Sequence, residues 1–288
     1  MSVDQQRLTT DRLMAHLDGL GPLDAWLADP SVSEVIVNGD GRLWVERRGR
    51  LDVVDRLPSG RIDAIVERII APLGLRFDRT SPVVDARLAD GSRLCAVLPP
   101  ISVDGTIMSI RRFASAQVSV EAVADTDVAD VLDRLVAGRC NVVVSGATSA
   151  GKTTLLGALC ALIDRVERII TIEDTAELRI STPHLVRLEA RSATPDGVDA
   201  IDIGRLVRAA LRLRPDRLVI GEVRGKEAWE MVQALNTGHD GCLSTVHANG
   251  PEDALRRITA LAADAARGSS QRFVAEQVRA SIDVVVHV

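Results

Sequence analysis

A glycine-rich motif between an apolar strand and a helix is the feature that most constrains the fold of this chain. Residues 146–153 read GATSAGKT and match G-x-x-x-x-G-K-S/T at every fixed position. The preceding NVVVS predicts a buried strand, and the following TTLLGALCALI predicts a helix. Backbone N–H groups at such a helix start hold phosphates. The motif predicts a nucleotide-binding α/β domain; the alternative is a glycine turn that only connects strand and helix.

The residues of this loop have separate expected roles. Lys152 is expected to reach the β- and γ-phosphates, and the hydroxyl of Thr153 is expected to ligate Mg²⁺. A loop of this kind serves kinases, GTPases, helicases and motors, so it does not name a function alone. The predicted nucleotide contacts are Gly146, Ala147, Thr148, Ser149, Ala150, Gly151, Lys152, Thr153 and Thr154.

Two later strands are each predicted to end in acids. RIITIED ends in Glu173 and Asp174, and RLVIGEV places Glu222 in a similar position. An open α/β sheet binds its ligand at the carboxyl ends of its strands, where one acid can deprotonate water and another can hold Mg²⁺, partly through water. The alternatives are that Asp174 or Thr175 caps a following element and that Glu222 is a surface acid.

A third cluster contains two of the five histidines, His239 and His247, in NTGHDGCLSTVHAN. Asn249 or Gly250 is expected to cap a helix whose first residue is Pro251. A zinc site is the rival interpretation, but no cysteine or third histidine lies at ligand spacing. A structural role that bonds across the sheet is a further alternative for His239.

The remaining chain predicts two domains. Residues 1–113 are expected to form a smaller α+β domain, with a helix over 6–27, a strand over 42–51 and a helix over 61–70. Residues 114–119 are small and polar and are the predicted linker. From residue 120 to 288, β-branched runs alternate with amphipathic stretches, which indicates an α/β domain with a largely parallel sheet.

Composition narrows the class of partner. The net charge is -5 and aromatic residues make up 2% of the chain, which argues against a nucleic-acid groove lined by basic and stacking side chains. No run approaches the length of a membrane span, so the cytoplasm is the expected location. The cysteines at 95, 140, 160 and 242 show no paired spacing and are predicted to be reduced core thiols.

The order of GATSAGKT, TIEDTAEL, LRLRPDRLVIGEVRG and NTGHDGCLSTVHAN resembles the type II and type IV secretion ATPase superfamily, which includes pilus motors. SPVVDARLADGSRLCAVLPP, TIMSIRRF and HLVRLEAR resemble the tight-adherence (Flp-type) pilus assembly branch more closely. The resemblance implies a RecA-like P-loop NTPase domain preceded by a PAS-like α+β domain, and a homohexamer that binds ATP or ADP with Mg²⁺. Such relatives usually continue beyond the position of Val288, so the chain is either a minimal core or lacks a tail.

The resemblance also implies roles for single residues. Glu173 matches the acid that activates water, Glu222 matches the second acid, and His247 and His239 match histidines that sense the γ-phosphate. Arg111 and Arg112 match N-terminal arginines that meet the nucleotide. A cation at the γ-phosphate stabilises transition-state charge, yet the sequence leaves open which arginine supplies it. The other possibilities are Arg191, Arg208, Arg212 and Arg224.

The implied activity is ATP hydrolysis that powers pilus assembly or protein secretion at the inner face of the membrane. The implied partners are further copies of the chain and inner-membrane platform proteins, with no nucleic acid. Two alternatives stay open at this point: a RecA-like nucleic-acid translocase, and a scaffold that binds nucleotide without hydrolysing it.

Overall fold

The computed structural model of the protein describes residues 20–58, 60–88, 90–112, 118–191, 193 and 197–288. These residues divide into two compact units, one ending before residue 113 and one starting after residue 117. Most of the predicted linker, and residues 6–19 of the predicted first helix, lie outside the described residues.

The first unit is a six-stranded antiparallel sheet in the order β3-β2-β1-β6-β5-β4, packed against two helices. The apolar side of α2 carries Ile62, Ile65, Val66 and Ile70, all buried, as the helical spacing over 61–70 predicts. The elements are α1 (Leu23–Ala28), β1 (Val32–Val37), β2 (Arg42–Arg47), β3 (Arg50–Arg56), α2 (Arg61–Ile70), the 3₁₀ turn Ala71–Leu73, β4 (Val83–Arg87), β5 (Arg93–Val97) and β6 (Ile107–Arg111).

Two local predictions for this unit are wrong. The stretch 42–51 is not one strand, because Arg48 and Gly49 both have positive φ, 52° and 76°, and reverse the chain between β2 and β3. A two-residue turn of that kind matches the twist of a hairpin. The first helix does not run through to residue 27 from its predicted start, because Gly21 has φ +64° and α1 begins only at Leu23.

The second unit is a six-stranded sheet in the order β12-β7-β11-β10-β8-β9, in which every neighbouring pair is parallel. The predicted α/β class is therefore confirmed. The elements are the 3₁₀ turn Val120–Ala122, α3 (Thr126–Ala137), β7 (Val142–Gly146), α4 (Lys152–Ala161), β8 (Ile169–Glu173), β9 (Leu185–Glu189), α5 (Ile203–Ala210), β10 (Arg217–Ile220), α6 (Glu227–Leu235), β11 (Leu243–His247), α7 (Pro251–Ala265), α8 (Gln271–Ser281) and β12 (Val284–His287).

Helices cover both faces of this parallel sheet. On one face, α3 and α4 pack against alternate residues of the central strands, and on the other face α5, α6, α7 and α8 do the same. Because both faces are covered, β7, β8 and β10 are buried along their whole length and read as continuous apolar runs. The carboxyl ends of all these strands lie at one edge of the sheet.

Two further sequence predictions have mixed outcomes. All four cysteines are free, but only Cys160 and Cys242 are buried, whereas Cys95 is exposed and is not a core thiol. Cys95 points outward because it alternates with the buried Leu94 and Ala96 on β5. Among the described residues, no helix has the length and apolar character needed to cross a membrane.

Candidate active site

The predicted phosphate loop connects β7 to α4. Gly151, the last loop residue, has φ +99°, a conformation that favours glycine, and α4 begins at the next residue. An added Cβ on Gly151 would meet no atom within 4 Å, so the space beside this loop residue is open. The first N–H groups of α4 have no acceptor inside the helix. The loop therefore offers the open, N–H-lined start of a helix that a phosphate requires.

Lys152 lies beside this loop with its ammonium turned inward. The side chain is 6% exposed, and Nζ donates to the carbonyl oxygen of Ala147 at 2.6 Å. Burial lowers the pKa of Lys152, while the nearby negative charge of Glu222 opposes that shift. The ammonium is thus held next to the loop and within the electrostatic reach of the second predicted acid.

Glu222, His247 and Thr148 are brought together from three neighbouring strands. His247 ends β11, and its Nδ1 donates to Oε1 of Glu222, which lies just beyond β10. On the other side of the ring, Nε2 lies 3.2 Å from the hydroxyl oxygen of Thr148 in the loop after β7. The strand order β7-β11-β10 places these three residues side by side.

Arg224 extends this cluster to the next strand. Its Nη2 lies 2.6 Å from Oε2 of Glu222, and its Nη1 donates to Oδ2 of Asp174 at 3.3 Å. Burial raises the pKa of Glu222, but hydrogen bonds from Arg224 and His247 outweigh it and leave the pKa below its usual value. Asp174 does not cap a helix, because the residues after it form an irregular segment.

Glu173 ends β8 beneath this cluster and is only 3% exposed. Its Oε1 accepts from the backbone N–H groups of Glu177 and Leu178, each at 2.9 Å. Its Oε2 is buried without a hydrogen-bond partner among the described residues. Burial raises the pKa of Glu173, and the two backbone N–H groups only partly offset that shift. Glu173 therefore has one oxygen anchored by backbone N–H groups and one buried oxygen that no described group binds.

Glycine at position 221 allows the side chain of Glu173 to lie close to the end of β10. A Cβ at position 221 would lie 2.8 Å from Cγ of Glu173, which is shorter than carbon atoms tolerate. Thr245 on β11 fixes the same point of the backbone, because its hydroxyl donates to the carbonyl oxygen of Gly221 at 2.7 Å. The absence of a side chain at residue 221 is thus a requirement of the site.

The residues near the loop could hold Mg²⁺ with few direct protein ligands. Thr153 lies in the first turn of α4 with an exposed side chain. Both oxygens of Glu222 already accept hydrogen bonds, so Glu222 suits a water-mediated contact better than direct coordination. Mg²⁺ keeps several waters and takes few protein ligands, which agrees with that arrangement. A third His, Cys, Asp or Glu that would complete a protein-only metal cluster is not found among the described residues.

His239 does not reach this cluster. Its Nδ1 lies 3.2 Å from the carbonyl oxygen of Ala234 at the end of α6. It precedes β11, whereas His247 ends that strand, so the two histidines flank opposite edges of the sheet. The structure therefore separates the pair that a zinc site would have to join.

The predicted arginines occupy several places. Arg111 ends β6 in the first unit, and Arg112 donates to the carbonyl oxygens of Asp29 and Val32 there. In the second unit, Arg208 pairs with Glu230 at 2.5 Å. The others are Arg191, which donates to the Asp199 carbonyl oxygen at 3.0 Å, and Arg212, which is exposed just after α5.

Sequence reasoning left two members of the cluster without a specific role. Arg224 is one of several arginines that could face the γ-phosphate, and Thr148 is a predicted nucleotide contact with no role assigned to its hydroxyl. A usable signal exists for Arg224, because a residue two places after Glu222 in an extended segment lies on the same side of the chain. No comparable signal exists for Thr148, whose partner is 99 residues away.

Comparison with known proteins decides the family. The model of the type II/IV secretion system protein family matches residues 16–288. The chain belongs to this family. It is 37% identical over 292 residues to a Mycobacterium tuberculosis protein named for conjugal transfer, covering 96% of this chain and 82% of the relative. It is 33% identical over 289 residues to the conjugal transfer protein TrbB of Rhizobium radiobacter, covering 96% and 86%.

Solved structures agree with this placement. The VirB11 ATPase of the Brucella suis type IV secretion system is 26% identical, with a TM-score of 0.51, covering 98% of this chain and 91% of that one. The pilus retraction motor PilT with bound ADP has a TM-score of 0.68 at 20% identity, covering 93% and 77%, and supports the fold alone. The predicted superfamily is confirmed, and the tight-adherence branch stays a prediction.

Proposed function

We propose that this secretion-family protein hydrolyses ATP at the carboxyl edge of its parallel sheet. The observation that carries the proposal is the carboxylate of Glu173. It is buried next to Gly221, has one oxygen fixed by two backbone N–H groups, and has one oxygen without a hydrogen-bond partner among the residues that the structure describes. A general base needs a carboxylate that is held in place and has an oxygen not engaged in another hydrogen bond, and Glu173 has this arrangement.

The residues have separate roles in this proposal. Lys152 and the N–H groups of the loop bind the phosphates, and Arg111 and Arg112 are retained as proposed nucleotide contacts. Thr153 and, through water, Glu222 hold Mg²⁺, which neutralises phosphate charge when bound. Glu173 accepts a proton from water as the water oxygen bonds to the γ-phosphorus. The bond to the bridging oxygen breaks, and ADP and phosphate are the products.

His247 is the proposed sensor of the γ-phosphate, and it is proposed to act through the loop and Glu222 rather than by a direct hydrogen bond, because both of its ring nitrogens are already engaged. His239 is left out of the proposed site, since it lies at the other edge of the sheet. Arg224 is paired with two acids, Glu222 and Asp174, so its charge is already engaged.

We further propose that six copies form a ring that drives secretion or pilus assembly. The ring is proposed to act in the cytoplasm at the inner face of the membrane, on inner-membrane platform proteins. Relatives named for conjugal transfer, a type IV secretion ATPase and a pilus motor support this direction. The tight-adherence pilus machine is the specific system that the sequence favours.

Single-turnover hydrolysis of ATP by four variants tests the catalytic assignment. Lys152→Ala is expected to lose tight nucleotide binding, whereas Glu173→Gln is expected to bind nucleotide but release no phosphate. Glu276→Gln is a matched control, because that acid is exposed on α8 and pairs with the exposed Arg272 of the same helix. If Glu222→Gln alone retains binding and loses turnover, the base and the Mg²⁺ residue are reversed.

The same assay separates the two other classes of function. No phosphate release by an assembled wild-type ring would make the protein a scaffold. Stimulation of turnover by single-stranded DNA, weakening as salt rises, would make it a nucleic-acid translocase. Stimulation by single-stranded DNA is not expected for a chain with a net charge of -5 and few aromatic residues.

A further inference from the structure

A continuous row of side-chain contacts runs across the carboxyl ends of neighbouring strands at the active site. The row joins Thr148, His247, Glu222, Arg224 and Asp174, and we name it the edge row. The strands involved follow one another in the order β7-β11-β10-β8, so each contact joins direct or near neighbours. The phosphate loop is therefore connected to Glu222 through a single imidazole ring.

The hydrogen bonds at this ring have a definite direction. An ionised carboxylate only accepts, so Nδ1 of His247 carries the proton that faces Oε1 of Glu222. In the neutral imidazole the other nitrogen, Nε2, is then an acceptor. The hydroxyl of Thr148, 3.2 Å away, is the group that donates to it. The Thr148 hydroxyl and the Glu222 carboxylate together fix both the tautomer and the orientation of the ring.

The opposite side of Glu222 is also held. Arg224 contacts Oε2 of Glu222 and spans to Asp174 on the far side of Glu222 from His247. The backbone at Arg224 is fixed in turn, because Oε1 of the buried Glu227 accepts from the N–H groups of Arg224 and Gly225 at 2.5 and 2.7 Å. Both oxygens of Glu222 are thus bound from opposite directions.

We propose that Thr148 is a positioning residue that couples the phosphate loop to the Glu222–His247 pair. Arg224 is its counterpart on the other oxygen of Glu222 and acts as a positioning residue rather than as a phosphate ligand. Without the Thr148 hydroxyl, no other loop group in the described part of the chain is hydrogen-bonded to Nε2, and the imidazole is held through Nδ1 by Glu222 with its other side unsupported. This inference rests on the proposed hydrolysis of ATP at the site.

Steady-state kinetics of Thr148→Val and Thr148→Ser test the proposal. Valine keeps the shape and the backbone N–H but removes the hydroxyl, whereas serine keeps the hydroxyl. Loss of a group that orients an active-site residue costs about 10–100-fold in activity. We expect that fall in kcat for Thr148→Val, with KM for ATP within about threefold of wild type. Thr148→Ser is expected to recover most of kcat.

Thr259→Val is the matched control. It removes a hydroxyl that donates within α7, to the carbonyl oxygen of Leu255 at 2.7 Å. Histidine-selective ¹⁵N spectra provide a second readout, because the Nε2 signal of His247 reports the hydrogen bond at that nitrogen. The signal is expected to move in Thr148→Val and to stay in place in Thr259→Val.

The inference is overturned by an unchanged kcat in Thr148→Val, by a rise in KM with kcat intact, or by an unmoved Nε2 signal. A loss in Thr148→Ser equal to that in Thr148→Val also overturns it. Failure of the proposed function is distinguishable, since it shows as absent turnover in the wild-type protein. The Nε2 measurement needs no nucleotide and tests the hydrogen bond in either case.

Discussion

At the scale of single residues, burial and hydrogen-bond partners shift the pKa values of the two acids of this site in opposite directions. Glu173 and Glu222 follow neighbouring strands, yet the pKa of Glu173 is raised by burial and that of Glu222 is lowered by Arg224 and His247 in spite of burial. An acid that gives up its proton less readily is the better base at neutral pH. This difference supports the assignment of Glu173 as the base and Glu222 as a permanently charged partner.

The raised pKa of Glu173 predicts a titration above that of an ordinary glutamate, which lies at about 4.3. The infrared band of protonated carboxyl groups, recorded without nucleotide, measures it as the difference between wild type and Glu173→Gln. The folded state binds this proton more tightly than the unfolded state does. Lowering the pH through the raised pKa therefore increases the free energy of unfolding of wild type relative to Glu173→Gln. A difference band that titrates at or below the ordinary value would contradict the burial argument.

Gly221→Ala is predicted to impair catalysis through Glu173. The new methyl group would lie 2.8 Å from Cγ of Glu173 and must displace that side chain. We expect kcat to fall at least about 10-fold, because base geometry is lost, while nucleotide binding by the loop is retained. Gly157→Ala is a control, since its methyl group meets only Leu178 at an ordinary 3.9 Å. Equal kcat in the two variants would show that Glu173 does not need its present position.

At the scale of elements, a buried ion pair holds the end of the sheet that lies opposite the active site, where β10 begins. Arg217 opens β10 and is 2% exposed. Its Nε and Nη2 contact the two carboxylate oxygens of Glu167 at 2.8 and 3.1 Å, and Nη2 also donates to the carbonyl oxygen of Val136 at 2.8 Å. The guanidinium thereby joins the end of α3, the turn before β8 and the start of β10.

Arg217→Ala is predicted to lower the free energy of unfolding by about 3–5 kcal/mol, because it leaves the partly buried Glu167 with Arg139 alone. Denaturation in urea measures the change. Arg272→Ala removes an exposed pair on α8 and is expected to change stability by no more than about 0.5 kcal/mol. Similar losses in the two variants would mean that burial does not decide the contribution of Arg217.

At the scale of the whole molecule, the family membership leads us to expect a ring. Light scattering after gel filtration, with Mg²⁺ and a non-hydrolysable ATP analogue, is expected to give about six times the 30.9 kDa mass of one chain. Lys152→Ala, which should not bind the analogue tightly, separates assembly that depends on nucleotide from assembly that does not. A monomer at every concentration would contradict the hexamer.

The sequence by itself determined the class of the second unit and most of its elements. The phosphate loop and the helix that follows it depend on residues close together in the chain, and so does the alternation of buried strands with amphipathic helices. Local periodicity also identified α2. Periodicity did not predict the turn at residues 48 and 49, because the pattern of apolar residues does not show that an arginine has positive φ.

Only the tertiary structure decided which residues of the site meet. His239 and His247 are close in sequence, but β11 separates them by roughly 3.3 Å per residue along its length. Thr148 and His247 are 99 residues apart and in contact, because β7 and β11 are neighbours in the sheet. Strand order, and the burial that raises the pKa of Glu173, follow from the packing of distant segments, which short-range patterns in a sequence do not encode.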